Sequence, residues 1–479
     1  MSRRQLLARG GVGLAALTLP GCGGESNTPS PPPGADEWQR YSGMTLNFIS
    51  ENTAPTSAIA ANLAPFKELT GIDIKISQLE LSALVQKVAL DFASGLGDYQ
   101  VVYADPYQVL APYHRALADL TELDRDPNLP KVQDLDDFFP TQLDAAGRFV
   151  DRERLLALPY DAPTLIWMYR KDVFEANRER MEQDLGFDPM PSADSTWEDY
   201  YEISKWIRDN VDEIPYGSGH QAKQHDSLMN DFSNVLWAYG GDYFRDGPEV
   251  GRYGSDDPGE PLLDSAESIE GAAMYEKLLS VAHPASKGWD WTGLAEAFMA
   301  GQVAMAVEWH EFAGGIEATD LKGKVGYAPL PKGPKRTACM YGGCGIGING
   351  VATDDEQKAA WLFVNWATSS DVQLANLKSE AGGGTPTRES IYALPEVEKA
   401  KEPPSDMPNV LTTDAVFEAW KPENIGLRPK IAAWNECDTV IFTQLSKMLA
   451  GQQGPEDCMR NAKQGFVEAI DRAAALREQ

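Results

Sequence analysis

Histidine is scarce in this chain: five residues in 479. Cysteine is equally scarce, at five, and no two cysteines have the Cys-x-x-Cys spacing that zinc sites use. Both shortages argue against a structural or catalytic zinc centre, and no other metal or cofactor motif is present. Positive charge is in the minority, with 42 Lys and Arg against 72 Asp and Glu, a net charge of -30. A polyanion such as nucleic acid, or an anionic membrane surface, would be repelled by such a chain. Past the N-terminus no apolar run approaches the length of a membrane span, and no repeat recurs at solenoid periods. The phosphate-cradling loop of nucleotide hydrolases is missing too. Hydrophobic content of 43% and charged content of 24% are those of a soluble globular protein, and 479 residues exceed one ordinary core, so two lobes are expected.

The N-terminus reads as an address. Residues 2–7, Ser-Arg-Arg-Gln-Leu-Leu, are similar to a twin-arginine export signal and precede a short apolar run over 10–19. Leu19-Pro20-Gly21-Cys22 resembles a bacterial lipoprotein cleavage box, although proline is unusual there. The expectation is a signal peptide over 1–21, Cys22 as the lipidated first mature residue, and a tether to residue 40 in which Pro29 and Pro31 to Pro33 disfavour packing. A cleaved, unlipidated product is the alternative. The remaining cysteines, Cys339, Cys344, Cys437 and Cys458, permit three pairings in an oxidising compartment. Cys437 and Cys458 lie on two helical patterns joined near Gly451 and Gly454, so a 437–458 bond is expected, with 339–344 as its complement.

The most informative stretch is 294–312, LAEAFMAGQVAMAVEWHEF. Leu294, Ala297, Phe298 and Gly301 fall at helical spacing, and Gly301 is a natural stop. Val303, Met305 and Val307 then alternate as a half-buried strand, which delivers Glu308 and Trp309 at its C-terminal end. Ligands sit at the C-terminal ends of strands in open α/β sheets. Nearer the start, apolar alternation over 44–48, 72–76 and 100–104 is interleaved with helical patterns over 59–66 and 84–92. Strand–helix–strand–helix–strand implies a doubly wound, parallel sheet. Glu51 and Asp105 close the first and third of these strands, where they serve either as helix caps or as ligand contacts.

The spacing Phe298-x-x-Gly301-x-x-Ala304-Met305 followed by Trp309 resembles the signature of extracellular solute-binding proteins of ABC importers, in the sugar-binding branch. Residues 66–76 (FKELTGIDIKI) and 99–109 (YQVVYADPYQV) are similar to that family as well, and the ordered motifs cover roughly residues 42–479. The resemblance implies a two-lobed α/β periplasmic-binding fold of type II kind, each lobe a doubly wound, mostly parallel sheet. The N-terminal lobe would comprise 41–158 with about 345–405, and the C-terminal lobe 159–344 with about 406–479. It implies a monomer that closes on a sugar and delivers it to membrane permease subunits, lipid-anchored to the outer face of the cytoplasmic membrane or periplasmic, with no enzyme activity and no cofactor.

Residue by residue, the resemblance points to Glu51 and Asp105 on sugar hydroxyls, and to Tyr160 and Asp161 at a first crossing between lobes. Glu308 and Trp309 would follow at the end of the signature strand. Gly342 and Gly343 fall in a second crossing (residues 341–348, YGGCGIGI), where backbone approach to ligand favours glycine; Cys344 stands where the family often has tryptophan. Arg388 and Trp434 complete the set. Each has a plain alternative: Tyr160 as packing, Arg388 as an ion-pair partner. A secreted carbohydrate-active enzyme with paired carboxylates, or a binder of polyols, glycerophosphodiesters or oligopeptides, remains the rival function.

Overall fold

The computed structural model describes residues 37–381 and 383–477. The export signal and Cys22 lie outside them. In chain order the strands are β1 (Thr45–Glu51), β2 (Asp73–Leu79), β3 (Val101–Ala104), β4 (Ala157–Asp161), β5 (Leu165–Arg170), β6 (Tyr216–Gly219), β7 (Val303–Trp309), β8 (Val325–Ala328), β9 (Cys339–Met340), β10 (Cys344–Ile348) and β11 (Ile425–Gly426). They form a five-stranded sheet ordered β2-β1-β3-β10-β4, a four-stranded sheet ordered β6-β7-β5-β8, and a small β11-β9 pair.

Each large sheet is the floor of one lobe. Strands β2, β1 and β3 are parallel, as strand–helix alternation requires. Both sheets are mixed rather than mostly parallel, because the crossing strands return the other way: β10 runs antiparallel to β3 and β4, and β5 antiparallel to β7 and β8.

Local signals explain most element ends. Gly71, Gly95 and Gly301 adopt φ of 73°, 67° and 71°, the left-handed conformation that closes a helix without a Cβ clash. Thr196 opens a helix with a full capping box: its hydroxyl accepts from the Asp199 N–H at 3.1 Å, and Asp199 accepts from the Thr196 N–H at 2.8 Å. The single helical pattern over 59–66 is in fact two helices, Ala54–Ala61 and Ala64–Thr70. Pro65 lacks an amide hydrogen and suits only the first turn of a helix, so a new helix starts there.

The lobes are built from discontinuous chain. The helix Asp354–Ala367 returns to the first lobe, where Phe363 meets Phe48 and Phe66 at ring-centroid distances of 5.7 and 5.3 Å. Trp38 packs against this same core. The C-terminal helices Trp434–Leu449 and Pro455–Arg477 pack on the second lobe. The first crossing is residues 162–164, between β4 and β5. The second is 341–343, between β9 and β10. The two run side by side: Thr164 bridges Tyr341, and the Gly342 N–H donates to the Pro163 carbonyl at 2.8 Å.

All four described cysteines are buried free thiols, which corrects both expected disulfides. Burial raises each thiol, Cys339 and Cys458 to about 12. In the antiparallel C-terminal hairpin, Trp434 meets Phe466 and Glu436 pairs with Arg472. That register sets Cys437 level with the middle of the second helix, whereas Cys458 lies in its first turn. At about 1.5 Å of rise per residue the two are offset by roughly 10 Å, beyond the Cα separation a disulfide spans. Cys339 and Cys344 are parted differently: each is fixed in a different sheet, on opposite sides of the second crossing.

Candidate functional site

Between the lobes lies a cleft of about 240 Å³. It is walled by the C-terminal ends of β1, β3, β4 and β7 and by the first turns of the helices Asp226–Ala238 and Trp291–Met299. Five of the sequence-derived residues meet there: Glu51, Asp105, Asp161, Trp309 and Gly342.

Asp105 does two jobs. One carboxylate oxygen caps the turn that follows β3, accepting from the Tyr107 and Gln108 N–H groups at 2.9 and 2.7 Å. The other pairs with Arg428 at 3.3 Å. Capping and cleft lining are therefore one arrangement rather than alternatives. Arg428 is 3% exposed; its other edge faces Asp226 at 3.7 Å, and its guanidinium lies 4.2 Å above the Tyr107 ring. It thereby ties a first-lobe carboxylate to a second-lobe one. Glu51 forms no ion pair among the described residues, and Arg428 acts on it only at longer range. Burial, with Asp105 and Asp226 nearby and opposed by a Tyr103 hydrogen bond, pushes its carboxyl up to about 7. Asn230, one turn after Asp226, donates to it at 2.7 Å, while its own amide oxygen, buried on the cleft wall, has no partner among the described residues.

At the hinge side a hydrogen-bonded chain runs across the lobes. The Thr164 N–H donates to His310 Nδ1 at 3.1 Å, which leaves the proton on Nε2. His310 Nε2 donates to the Thr385 hydroxyl at 2.8 Å, and that hydroxyl donates to Glu311 at 2.6 Å. Burial lowers His310 to about 4, so the ring is neutral. The Thr385 N–H donates to Asp161 at 2.8 Å. Asp161 and Glu311 thus face each other, one from each lobe, in direct hydrogen-bond contact. Burial and each other's charge raise Asp161 well above the carboxylate range, and Glu311 rises as well.

The other candidates lie elsewhere. Tyr160 is buried behind Tyr103, in edge contact at 6.2 Å, with its hydroxyl 3.3 Å from that of Thr56. Glu308 is buried in the second lobe, where it accepts from Gln221 and from the Trp309 N–H, both at 2.9 Å; burial raises its carboxyl well above the usual range. Arg388 is 2% exposed and donates to the Thr368, Gln133 and Asp134 carbonyls, with its guanidinium 4.1 Å from the Phe138 ring. Trp434 is fully buried among Tyr243 and Phe466. These residues hold the walls, not the lining. The two glycines also sit close against aromatics. A Cβ on Gly342 would come 2.6 Å from the Trp309 ring, and one on Gly343 would run into the Tyr341 ring.

Sequence reading passed over Tyr103, Asp226, Asn230 and Arg428; Trp291 lines the cleft as well. Asp226 and Asn230 had a partial signal: two polar residues at i, i+4 in the opening turns of a helix, though Asp231 and Asn234 repeat the pattern. Arg428 had none, since it sits in an irregular segment brought to the cleft only by the fold. Among the described residues no group of His, Cys, Asp and Glu is placed to hold a metal ion, and no helix is long and apolar enough to cross a membrane.

Two mixed-sheet lobes joined by paired crossings, with a polar cleft and tryptophans between them, define a periplasmic-type solute receptor. The chain belongs to the bacterial extracellular solute-binding proteins, whose family model matches residues 50–374. It is 25% identical to a probable amino-acid ABC transporter periplasmic-binding protein of Sinorhizobium fredii over 448 residues, 90% of each chain. An erythritol/L-threitol-binding protein of Mycolicibacterium smegmatis is 30% identical over 116 residues, 22% of this chain and 24% of that one. Among solved structures, an ABC transporter solute-binding protein from Agrobacterium radiobacter K84 in complex with ribitol superposes with a TM-score of 0.72 at 26% identity, over 90% of this chain and 99% of that one. A maltose-bound protein from T. maritima, 24% identical, shares the fold with a TM-score of 0.71, over 88% of this chain and 98% of that one.

Proposed function

We propose that this chain is the receptor of an ABC import system that captures a small polyhydroxylated solute, a polyol or monosaccharide, and hands it to a membrane permease. The observation that carries the reading is the make-up of the cleft: Trp309 and Trp291 beside Glu51, Asp161, Glu311 and Asn230. Aromatic faces bury the C–H surface of a sugar or polyol, while acceptor oxygens take its hydroxyl protons. A volume of about 240 Å³ lies at the small end of ligand pockets, which favours one sugar unit over an oligosaccharide. The ribitol complex of the Agrobacterium relative and the erythritol/L-threitol specificity of the Mycolicibacterium protein agree with this.

The name of the Sinorhizobium relative raises an amino-acid ligand instead. An α-carboxylate needs a free cation, and Arg428, the only cationic side chain lining the cleft among the described residues, is engaged by Asp105 and Asp226. Glycoside hydrolysis calls for two carboxyls about 5–9.5 Å apart, across a bond; Asp161 and Glu311 are in contact. Export through the twin-arginine signal, a lipid anchor at Cys22 and action as a monomer belong to the same proposal. A thermal-shift screen of polyols, monosaccharides, disaccharides and amino acids tests it. Stabilisation by polyols or monosaccharides is expected, and a response to amino acids alone would overturn it.

A further inference from the structure

Closing the cleft brings acid against acid. Glu51, Asp105 and Asp161 stand on the first lobe and Asp226 and Glu311 on the second, while Arg428 is the single cation lining the cleft among the described residues. Arg428 answers Asp105 and Asp226. Asp161 and Glu311 meet without a cation: neither forms an ion pair among the described residues, yet their side chains are hydrogen-bonded to each other. Two carboxylates have no hydrogen to share, so that contact needs a proton on one of them. The Ala162 and Thr385 N–H groups donate to Asp161 and the Thr385 hydroxyl donates to Glu311, so one proton is all the pair lacks. The titratable groups around it supply no charge. Tyr160 on β4, Cys344 on β10, Tyr341 on the second crossing and Tyr392 on the helix Glu389–Tyr392 all act on Asp161, and burial holds each of them protonated. His310, which reaches the pair through Thr385, is neutral because burial lowers it to about 4. A further carboxyl pair, Asp226 with Asp438, is hydrogen-bonded too, but both members stand on second-lobe helices, so opening leaves them together.

We propose that solute capture is coupled to uptake of a proton by the Asp161–Glu311 pair, so that the receptor closes on its solute more tightly as the pH falls. This goes beyond the polyhydroxylated-solute reading and holds for whatever solute the cleft closes on. In the open form the two carboxyls part into water, and each ionises as an ordinary carboxylate does. In the closed form they share one proton, which belongs to the pair rather than to either residue. The closed form therefore binds the proton more strongly than the open one. The part of the affinity linked to it is fully present below the ordinary carboxylate range and is lost as pH rises toward the raised value of the closed pair. Glu51 adds to the same trend, since burial and the nearby charges of Asp105 and, from the facing lobe, Asp226 push its carboxyl up to about 7.

Titration calorimetry on the intact mature protein at pH 6, in two buffers of different ionisation enthalpy, counts the protons taken up on binding. The probe is ribitol, or whichever polyol, sugar or amino acid stabilises the protein most in the thermal-shift screen. Uptake of about one proton or more is expected, with affinity falling by close to tenfold per unit of rising pH for each proton taken up. In Glu311→Gln and in Asp161→Asn an amide N–H bridges the pair in place of the proton. Uptake should then fall by about one and the pH slope should flatten, whatever the variants do to affinity itself; agreement of the two guards against a folding defect in either. Binding with no proton uptake, or with uptake equal in the wild type and both variants, would overturn the inference and leave the polyhydroxylated reading standing. The expected uptake and its loss in the variants, seen with amino acids alone, would support the inference and overturn that reading.

Discussion

Trp309 and Trp434 are the same residue type in opposite settings. Trp309 is half-buried on the cleft wall, and Trp434 is enclosed by the second-lobe core. Trp309→Ala should lower solute affinity about thirtyfold, near 2 kcal/mol, with the apo melting temperature close to wild type. Trp434→Ala should cost roughly 3–5 kcal/mol of folding stability, read by calorimetric unfolding, because it leaves a cavity no neighbour can fill. Arg388→Ala belongs with Trp434: it strands buried carbonyls at Thr368, Gln133 and Asp134, so it should depress melting without changing affinity once folded. Glu51 predicts a pH dependence. Its folded pKa of about 7 lies above the model-peptide value, so the native state binds more protons than the unfolded chain between about pH 4.5 and 7. Stability from this group is therefore present at low pH and lost as pH rises through 7. Asp242, pushed up to about 6 by burial, acts in the same direction. The apo melting temperature should rise from pH 8 to pH 6, and the rise should be smaller in Glu51→Gln.

At the scale of elements, the C-terminal hairpin and the paired crossings settle the redox chemistry. Their register parts the cysteines that sequence proximity had suggested would pair. Native protein should be inert to a thiol reagent, since each thiol is buried and raised, and denaturation without reductant should release Cys339, Cys344, Cys437 and Cys458 as free thiols. Fewer than four in protein lacking Cys22 would mean a bond has formed. The crossings also show what a hinge requires here. Gly342 admits Trp309 against the backbone, so Gly342→Ala should displace that indole and weaken binding, while the sheets on either side stay intact.

For the whole molecule, the cleft is assembled from both lobes, and two links cross it: Arg428, which bridges Asp105 to Asp226, and the contact of Asp161 with Glu311. Opening would break both. Solute should therefore compact the protein, lowering the radius of gyration in small-angle scattering; a solute that binds with no change would mean a rigid site.

The sequence by itself determined what is local. Alternation placed β1 and β7, glycine placed the helix stops at Gly71, Gly95 and Gly301, and the Thr196–Asp199 capping box opened its helix, because each depends on residues within one turn or one strand. The motif order carried the family and hence the two-lobed plan. The same local logic put Glu51, Asp105 and Trp309 at strand ends, where the cleft is, and the family resemblance added Asp161 at a crossing. What only the tertiary structure decided is which neighbours those ends meet. Whether a tryptophan faces core or cleft, whether Arg388 or Arg428 reaches the site, and whether two cysteines come level are matters of long-range packing. Arg428 and Asp105 are separated by more than three hundred residues, and Asp161 and Glu311 by about half that. No periodicity spans such distances, and the chemistry of the cleft exists only once the lobes have closed around it.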